Sequence, residues 1–445
     1  MKRFTVLITL FLYLPLIAQH NIIYENVEQL VKSKTFFKPV NPILKSDNPK
    51  HIADKIVNNA TYAQLDAALI EDIFVSKHRY IALTIPFGGS YIEIQLYRVD
   101  MVAQDFHVDT DKQKNIPYQQ GAYYRGIIKG RQSSIASFSF FKDEMYGIVS
   151  ANLVVGRLNT PSNKSDYIIY SDNDLMLPES FACSAVDTET SGRGKALKNQ
   201  MGVQSDHCVT LYFELMHNTY IANGSDVTQT TNWFTALFNN VQTLFANDGI
   251  TTAIKTVNVW TQADPYNLNT SSAYDLLDQF AANTPVFDAD AAQLISANPG
   301  NGLSYGIGTL CSDLNRSYAR VSTFYQQVPA YSASVKLIAH ELGHVFGSQH
   351  THGCYWNGNN TAIDGCSTGE GDCAPGPIPT NETGATIMSY CGNINFANGF
   401  GPQPTQRMQQ HIASSSCLST DCITSCTNSI SALHLSNVTP SSATL

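Results

Sequence analysis

One short stretch constrains this chain more than any other: His340, Glu341, His344, Gly347 and His350 follow the spacing H-E-x-x-H-x-x-G-x-x-H. The apolar spacing predicts a helix from Ser332 to Phe346, begun after Pro329 and stopped by Gly347. Residues four apart share a helix face with Cβ atoms about 5–6 Å apart, so His340 and His344 can offer ring nitrogens to one ion at about 2.0–2.1 Å. Helical geometry cannot carry a third histidine to the same point six residues later. Gly347 must therefore reverse the chain, and His350 must return from outside the helix. Three neutral imidazoles leave one coordination position open, which separates a catalytic zinc from a closed structural one. Glu341 adjoins the first ligand but points about 100° around the helix, too acutely placed to ligate and suited to act as general base on an activated water.

At 445 residues the chain has room for two or three domains, and 43% hydrophobic against 14% charged residues describes a folded protein with a sizeable core. Its formal charge of -9 has the wrong sign for holding a phosphate backbone, which argues against nucleic acid as a partner. Lys2 and Arg3, the apolar run Phe4 to Ile17, and small Ala18 read as a cleaved signal peptide over residues 1–18. That run falls short of the roughly 20 residues a membrane span needs, so the expectation is a secreted protein without stable membrane insertion. All ten cysteines lie from Cys183 onward (Cys183, Cys208, Cys311, Cys354, Cys366, Cys373, Cys391, Cys417, Cys422 and Cys426), and an oxidising compartment would let them pair.

Residues 19–187 read as a β-rich region, with alternating runs at Tyr80–Ile85, Tyr91–Tyr97, Ser133–Phe141 and Tyr146–Val149. Residues 188–204, polar and carrying Arg193, Lys195 and Lys198, read as an exposed processing linker. Residues 205–418 then alternate strand and helix: strands at Cys208–Leu215, Lys255–Trp260 and Leu303–Leu310, with helices at Val227–Asn247, capped by Asp226, and at Ser272–Ala282. The expected fold class is α+β or α/β with a mixed, mostly parallel twisted sheet. Residues 419–445 look like a cysteine-containing linker and the opening of a fibronectin type III module, with Leu433, Leu435 and Val438.

The histidine motif is the metzincin signature, and within that clan the chain resembles the reprolysin (adamalysin, M12B-type) metallopeptidases. Tyr305 to Cys311 is similar to their edge strand and half-cystine, and Ala385 to Cys391 to their Met-turn. Upstream, Tyr123 to Gly126, Gly130, Ser134, Ser137 and Tyr146 to Ile148 resemble their propeptide. The resemblance implies a metzincin catalytic domain after a propeptide: a secreted zinc endopeptidase made as a zymogen and acting on proteins or peptides. It implies one zinc on His340, His344 and His350, with Glu341 as base and Met388 as an apolar floor, and it admits a calcium ion. It also implies a Cys311–Cys417 bridge, with Cys354 joined to a loop cysteine or to Cys391. Extended substrate would add to the edge at Leu303–Leu310.

Further positions admit competing readings. Tyr390 follows Met388 at the spacing of astacins and serralysins, where the tyrosine resembles a displaceable fifth ligand; it could stabilise the oxyanion or simply pack. Cys183 could reach the open metal position as a cysteine switch, or pair with Cys208 or another cysteine. Thr351 stands where reprolysins carry Asp, so the partner of the third histidine must be replaced or absent. His352 rivals His350 by spacing alone, but the glycine three residues before His350 decides against it. Glu370 and Glu382 would serve a third-ligand role only from a rigid helix, and both lie in loop rich in glycine and proline. The competing class is an adhesion or binding module with a dead metzincin site; the intact His340, Glu341, His344 and His350 favour the enzyme.

Overall fold

The computed structural model describes residues 21–46, 57–149, 153–157, 165–176, 183, 206–268, 272–298, 300–322, 331–367, 370–423, 436–439 and 442–444, the last two segments and Tyr331 by backbone only. The expected signal peptide (1–18), the processing linker (188–204) and Cys426 lie outside the described residues.

Two large sheets carry a mixed α/β fold. The first has ten strands, all from the N-terminal part, running in the order Lys38–Val40, Tyr80–Phe87, Ser90–Val99, Ala122–Ile128, Ala136–Phe140, Met145–Val149, Leu153–Arg157, Asp166–Ser171, Ala60–Leu65 and Ile43–Lys45. Every neighbouring pair in it is antiparallel except Lys38–Val40 with Tyr80–Phe87. The second has six strands in the order Gly302–Ser304, Arg316–Arg320, Ala291–Ser296, Cys208–Leu215, Thr251–Val259 and Val102–Thr110. Its pairs are parallel except at the Gly302–Ser304 edge.

The last strand of the second sheet comes from the first part of the chain. Val102–Thr110 pairs parallel with Thr251–Val259, so residues 19–187 contribute backbone to the sheet that follows them. The helix Val227–Asn247 joins the two sheets more deeply still. Its apolar residues Trp233, Leu237, Val241, Leu244 and Phe245 are buried as their spacing predicts, and Asp226 caps its start by accepting from the Gln229 amide at 2.8 Å. Its polar residues are buried as well. Asn239 donates to the Phe138 carbonyl and the Ser139 hydroxyl, both at 3.0 Å, and Asn232 donates to Glu144 at 3.0 Å. Glu144 in turn pairs with Arg157, and both are fully buried. The strands Ala136–Phe140, Met145–Val149 and Leu153–Arg157 are buried on both faces because this helix covers one face and the N-terminal core the other.

The structure departs from the sequence pattern at Leu303–Leu310. Only Gly302–Ser304 is strand. Beyond it the backbone amides of Gly308 and Thr309 turn to the carbonyls of His344 and Val345 at 2.8 and 3.0 Å. These are carbonyls of the last helical turn, which have no partner inside the helix, so the glycine-containing segment caps the helix instead of extending the sheet. Helix Tyr331–Val345 and helix Ala273–Asn283 otherwise fall within a residue of expectation, the second capped by Ser272. Four disulfides join Cys208 to Cys422, Cys311 to Cys417, Cys354 to Cys373 and Cys366 to Cys391. Two of them match the expected bridge at Cys311–Cys417 and the pairing of Cys354 inside its loop. Ser436–Thr439 and Ser442–Thr444 form a short antiparallel pair.

Removing the Asn239 amide takes away two buried hydrogen bonds to the N-terminal sheet. Asn239→Ala is expected to cost about 1–3 kcal/mol, read as a lower urea midpoint of the full chain; an unchanged midpoint would mean the two parts are not energetically joined there.

Candidate metal centre

The site is assembled from a helix end, a loop and a turn. Helix Tyr331–Val345 closes with the amide of Gly347 on the His344 carbonyl and the amide of Ser348 on the Gly343 carbonyl, both at 2.9 Å. This double closure needs a left-handed residue, and Gly347 has φ +113°. A Cβ there would also come within 2.9 Å of the His411 Cβ. The reversal delivers the Ser348 carbonyl to Nδ1 of His344 at 2.8 Å and brings His350 back beside the helix.

Nε2 of His340, His344 and His350 form a triangle with sides of 3.0–3.1 Å. Behind each ring Nδ1 has an acceptor: the Ile387 carbonyl for His340 at 2.8 Å, the Ser348 carbonyl for His344, and Oε1 of Glu370 for His350 at 2.6 Å. With the proton on Nδ1, each Nε2 presents a lone pair to the other two. Burial, followed by the neighbouring imidazoles, holds His340 and His344 well below the usual histidine range, so they are neutral. Three buried imidazoles whose Nε2 atoms converge in this way fit a divalent cation.

Glu341 is fully buried beside the triangle. Its carboxyl faces Gly302, where a Cβ would meet Oε1 at 2.4 Å, so only glycine leaves it room. Burial pushes Glu341 up to about 8, while its contact with Cys183 pulls the other way. Sγ of Cys183 lies 3.5 Å from Oε2 of Glu341 and 3.7 Å from Nε2 of His344. Cys183, His340, His344 and His350 together form a cluster that could hold one ion. Cys183 also bridges Gly302 in parallel, at the sheet edge expected to take substrate. The Tyr390 hydroxyl donates to the Cys183 carbonyl at 2.8 Å.

Met388 is fully buried in the core with Leu342 and Phe400, and its carbonyl accepts from the Thr351 amide at 3.2 Å. His352 stays out of the triangle: it stacks on His350 with an interplanar angle of 11° and sends Nε2 to Oε1 of Glu370 at 3.3 Å. Glu382 is exposed. Glu370 is the residue that sequence reasoning left without a task. It does not enter the triangle but lies behind it, and although burial would raise its carboxyl, hydrogen bonds from His350 and His352 hold it at about 2. Thr351 at the expected Asp position, with cysteines on both sides of Glu370, was the available signal.

Residues 206–400 match a reprolysin-type family model described as metallo-peptidase family M12. Among solved structures, metalloproteinase-II from Bacteroides fragilis is a distant likeness, at 10% identity and TM-score 0.41, covering 85% of this chain and 99% of that one.

The helix end generates a direct test. Gly347→Ala puts a side chain at a left-handed position and against His411, which is expected to cost at least about 1–3 kcal/mol and to loosen His350. A melting temperature equal to that of the unsubstituted protein would show that the reversal does not depend on glycine.

Proposed function

We propose that this chain, whose residues 206–400 match metallo-peptidase family M12, is a zinc metalloendopeptidase that is secreted and made latent by its own N-terminal part. The observation that carries the reading is the convergence of three histidine Nε2 atoms with Glu341 and the Cys183 sulfur in one cluster. In this reading His340, His344 and His350 hold the metal and Glu341 is the base. A signal over 1–18, a propeptide over 19–187, a processing linker over 188–204 and a metzincin catalytic domain over 205–418 complete the organisation. The mostly parallel sheet with one antiparallel edge strand supports that architecture, and four disulfides support an oxidising destination. No helix among the described residues is long and apolar enough to cross a membrane.

Zinc bound by the three imidazoles supplies Lewis acidity, making water acidic at a pKa of about 7 and polarising a peptide carbonyl. Glu341 accepts a proton from the attacking water as its oxygen bonds to the carbonyl carbon. The carboxyl then returns that proton to the amide nitrogen as the C–N bond breaks, so no covalent intermediate with the chain is needed. Burial raises the affinity of the Glu341 carboxyl for a proton, and a cation held by the neighbouring imidazoles would favour the carboxylate that accepts one. Tyr390 already donates to a backbone carbonyl, that of Cys183. A substrate carbonyl in the same place would receive that hydrogen bond as negative charge develops on its oxygen. Cys183, clustered with the three histidines and bridged to Gly302, would block both the open metal position and the sheet edge, and latency would be maintained in this way.

Two substitutions separate base from switch. Glu341→Gln should keep zinc and fold but lose at least about a hundredfold in peptide hydrolysis; activity within tenfold of the unsubstituted enzyme would remove Glu341 from the role of base. Cys183→Ala should give a full-length protein that hydrolyses peptide without any cut in the linker. A Cys183→Ala protein that stays latent would reject thiol blockade.

A further inference from the structure

We propose that Glu370 is the positioning residue for the third imidazole, and that the Cys354–Cys373 disulfide sets zinc affinity by holding Glu370 in place. The proposal rests on the zinc reading of the site and assigns the partner that Thr351 does not supply. The Thr351 hydroxyl is committed elsewhere, donating to Asp364 Oδ2 at 2.5 Å and lying 3.2 Å from the Met388 carbonyl. His350 instead turns Nδ1 to Glu370 Oε1 at 2.6 Å. This is the only carboxylate among the three acceptors described above; His340 and His344 use neutral backbone carbonyls. A carboxylate behind an imidazole fixes its tautomer and makes Nε2 a stronger donor to metal. The same oxygen reaches His352, whose ring stacks on His350 at 5.0 Å between centroids, so Glu370 clamps two parallel rings at once.

What holds Glu370 is a covalent loop and not a helix. Its carbonyl accepts from the Cys354 amide at 3.2 Å, and Cys373, three residues on, is bridged to Cys354. The Cys373 amide also points to the Cys354 sulfur at 3.0 Å. Gly371, between the two, has φ +104°, and a Cβ there would meet the Cys354 sulfur at 2.6 Å, so the turn that carries Glu370 is folded directly onto the disulfide. Opening the bridge would free the segment that aims the carboxylate.

The test measures zinc binding to the full-length protein by competition with a chromophoric chelator. It compares the unsubstituted chain with Glu370→Ala, Glu370→Gln, the double variant Cys354→Ser with Cys373→Ser, and the triple variant combining it with Glu370→Ala. Glu370→Ala should weaken zinc about 10- to 100-fold, with the melting temperature of the metal-free protein unchanged and the visible spectrum of the cobalt-substituted protein shifted. Glu370→Gln should lose less, because its amide oxygen still accepts from Nδ1. The double serine variant should weaken zinc by a similar factor, and the triple variant no further than Glu370→Ala, since all remove the same support. Zinc affinity within threefold in Glu370→Ala would overturn the proposal, and so would losses that multiply in the triple variant. If the serine variant fails to fold, the alanine and glutamine variants still decide the role of Glu370. Failure of the unsubstituted protein to bind one zinc that His344→Ala abolishes would instead overturn the metal reading itself.

Discussion

Three imidazoles facing one another at 3.0–3.1 Å repel through their lone pairs, and the protein must oppose that repulsion from behind each ring. It does so with three acceptors from three unrelated places. The Ile387 carbonyl comes from the turn before Cys391, which is tied to Cys366; the Ser348 carbonyl comes from the reversal at Gly347; and Glu370 comes from the loop closed by Cys354 and Cys373. The turn has its own support. Ile387 donates to the Gly399 carbonyl at 2.9 Å, and the next residue, Phe400, donates to Asp248 Oδ2 at 2.7 Å. Asp248 caps the C-terminal end of helix Val227–Asn247. One line of hydrogen bonds therefore runs from the long central helix to the ring of His340.

That helix also ties the N-terminal sheet to the second sheet through buried polar groups. A helix of a two-layer fold ordinarily keeps a polar stripe for water. Here the polar stripe is buried against the Phe138 and Ser139 backbone and the Glu144–Arg157 pair. Such groups cost little while partnered and several times more when stranded, so the two sheets are joined by the penalty of separation as much as by attraction. The parallel strand Val102–Thr110 adds backbone hydrogen bonds to the same junction.

How much of this was legible in the sequence depended on the range of the interaction. The helix from 331 to 345, its stop at Gly347 and the return of His350 are local, and spacing alone places them; so are the caps at Asp226 and Ser272. The buried polar stripe was not legible, because Asn232 and Asn239 look the same in sequence whether they meet water or a carbonyl a hundred residues away. The strand Ala291–Ser296, preceded by Asp288 and Asp290, has no alternation to mark it, being buried on both faces between parallel neighbours. The strand predicted through Leu310 failed for the converse reason: its apolar residues are real core, but its amides are claimed by the helix end. Glu370 was weighed as a ligand and set aside for want of a helix. The loop is rigid by cross-linking, which residue-by-residue reading undervalues.

These two features bear on latency together. Cys183 precedes the proposed linker, so a cut within 188–204 would leave it covalently attached to the N-terminal part, and that part is held by strand pairing and a buried polar junction. Cutting would not by itself carry the thiol away. It would remove the covalent path through the linker to the strand that begins at Cys208, leaving the N-terminal sheet held by its noncovalent junction. Among the described contacts, the blockade would then draw on the bridge of Cys183 to Gly302, the hydrogen bond from Tyr390 and the sulfur. In the proposed reading, extended substrate would compete for the same edge and the same phenol. In the proposed latent form the contacts at Cys183 are thus the ones substrate would have to displace, while strand pairing and the buried polar junction hold the N-terminal sheet.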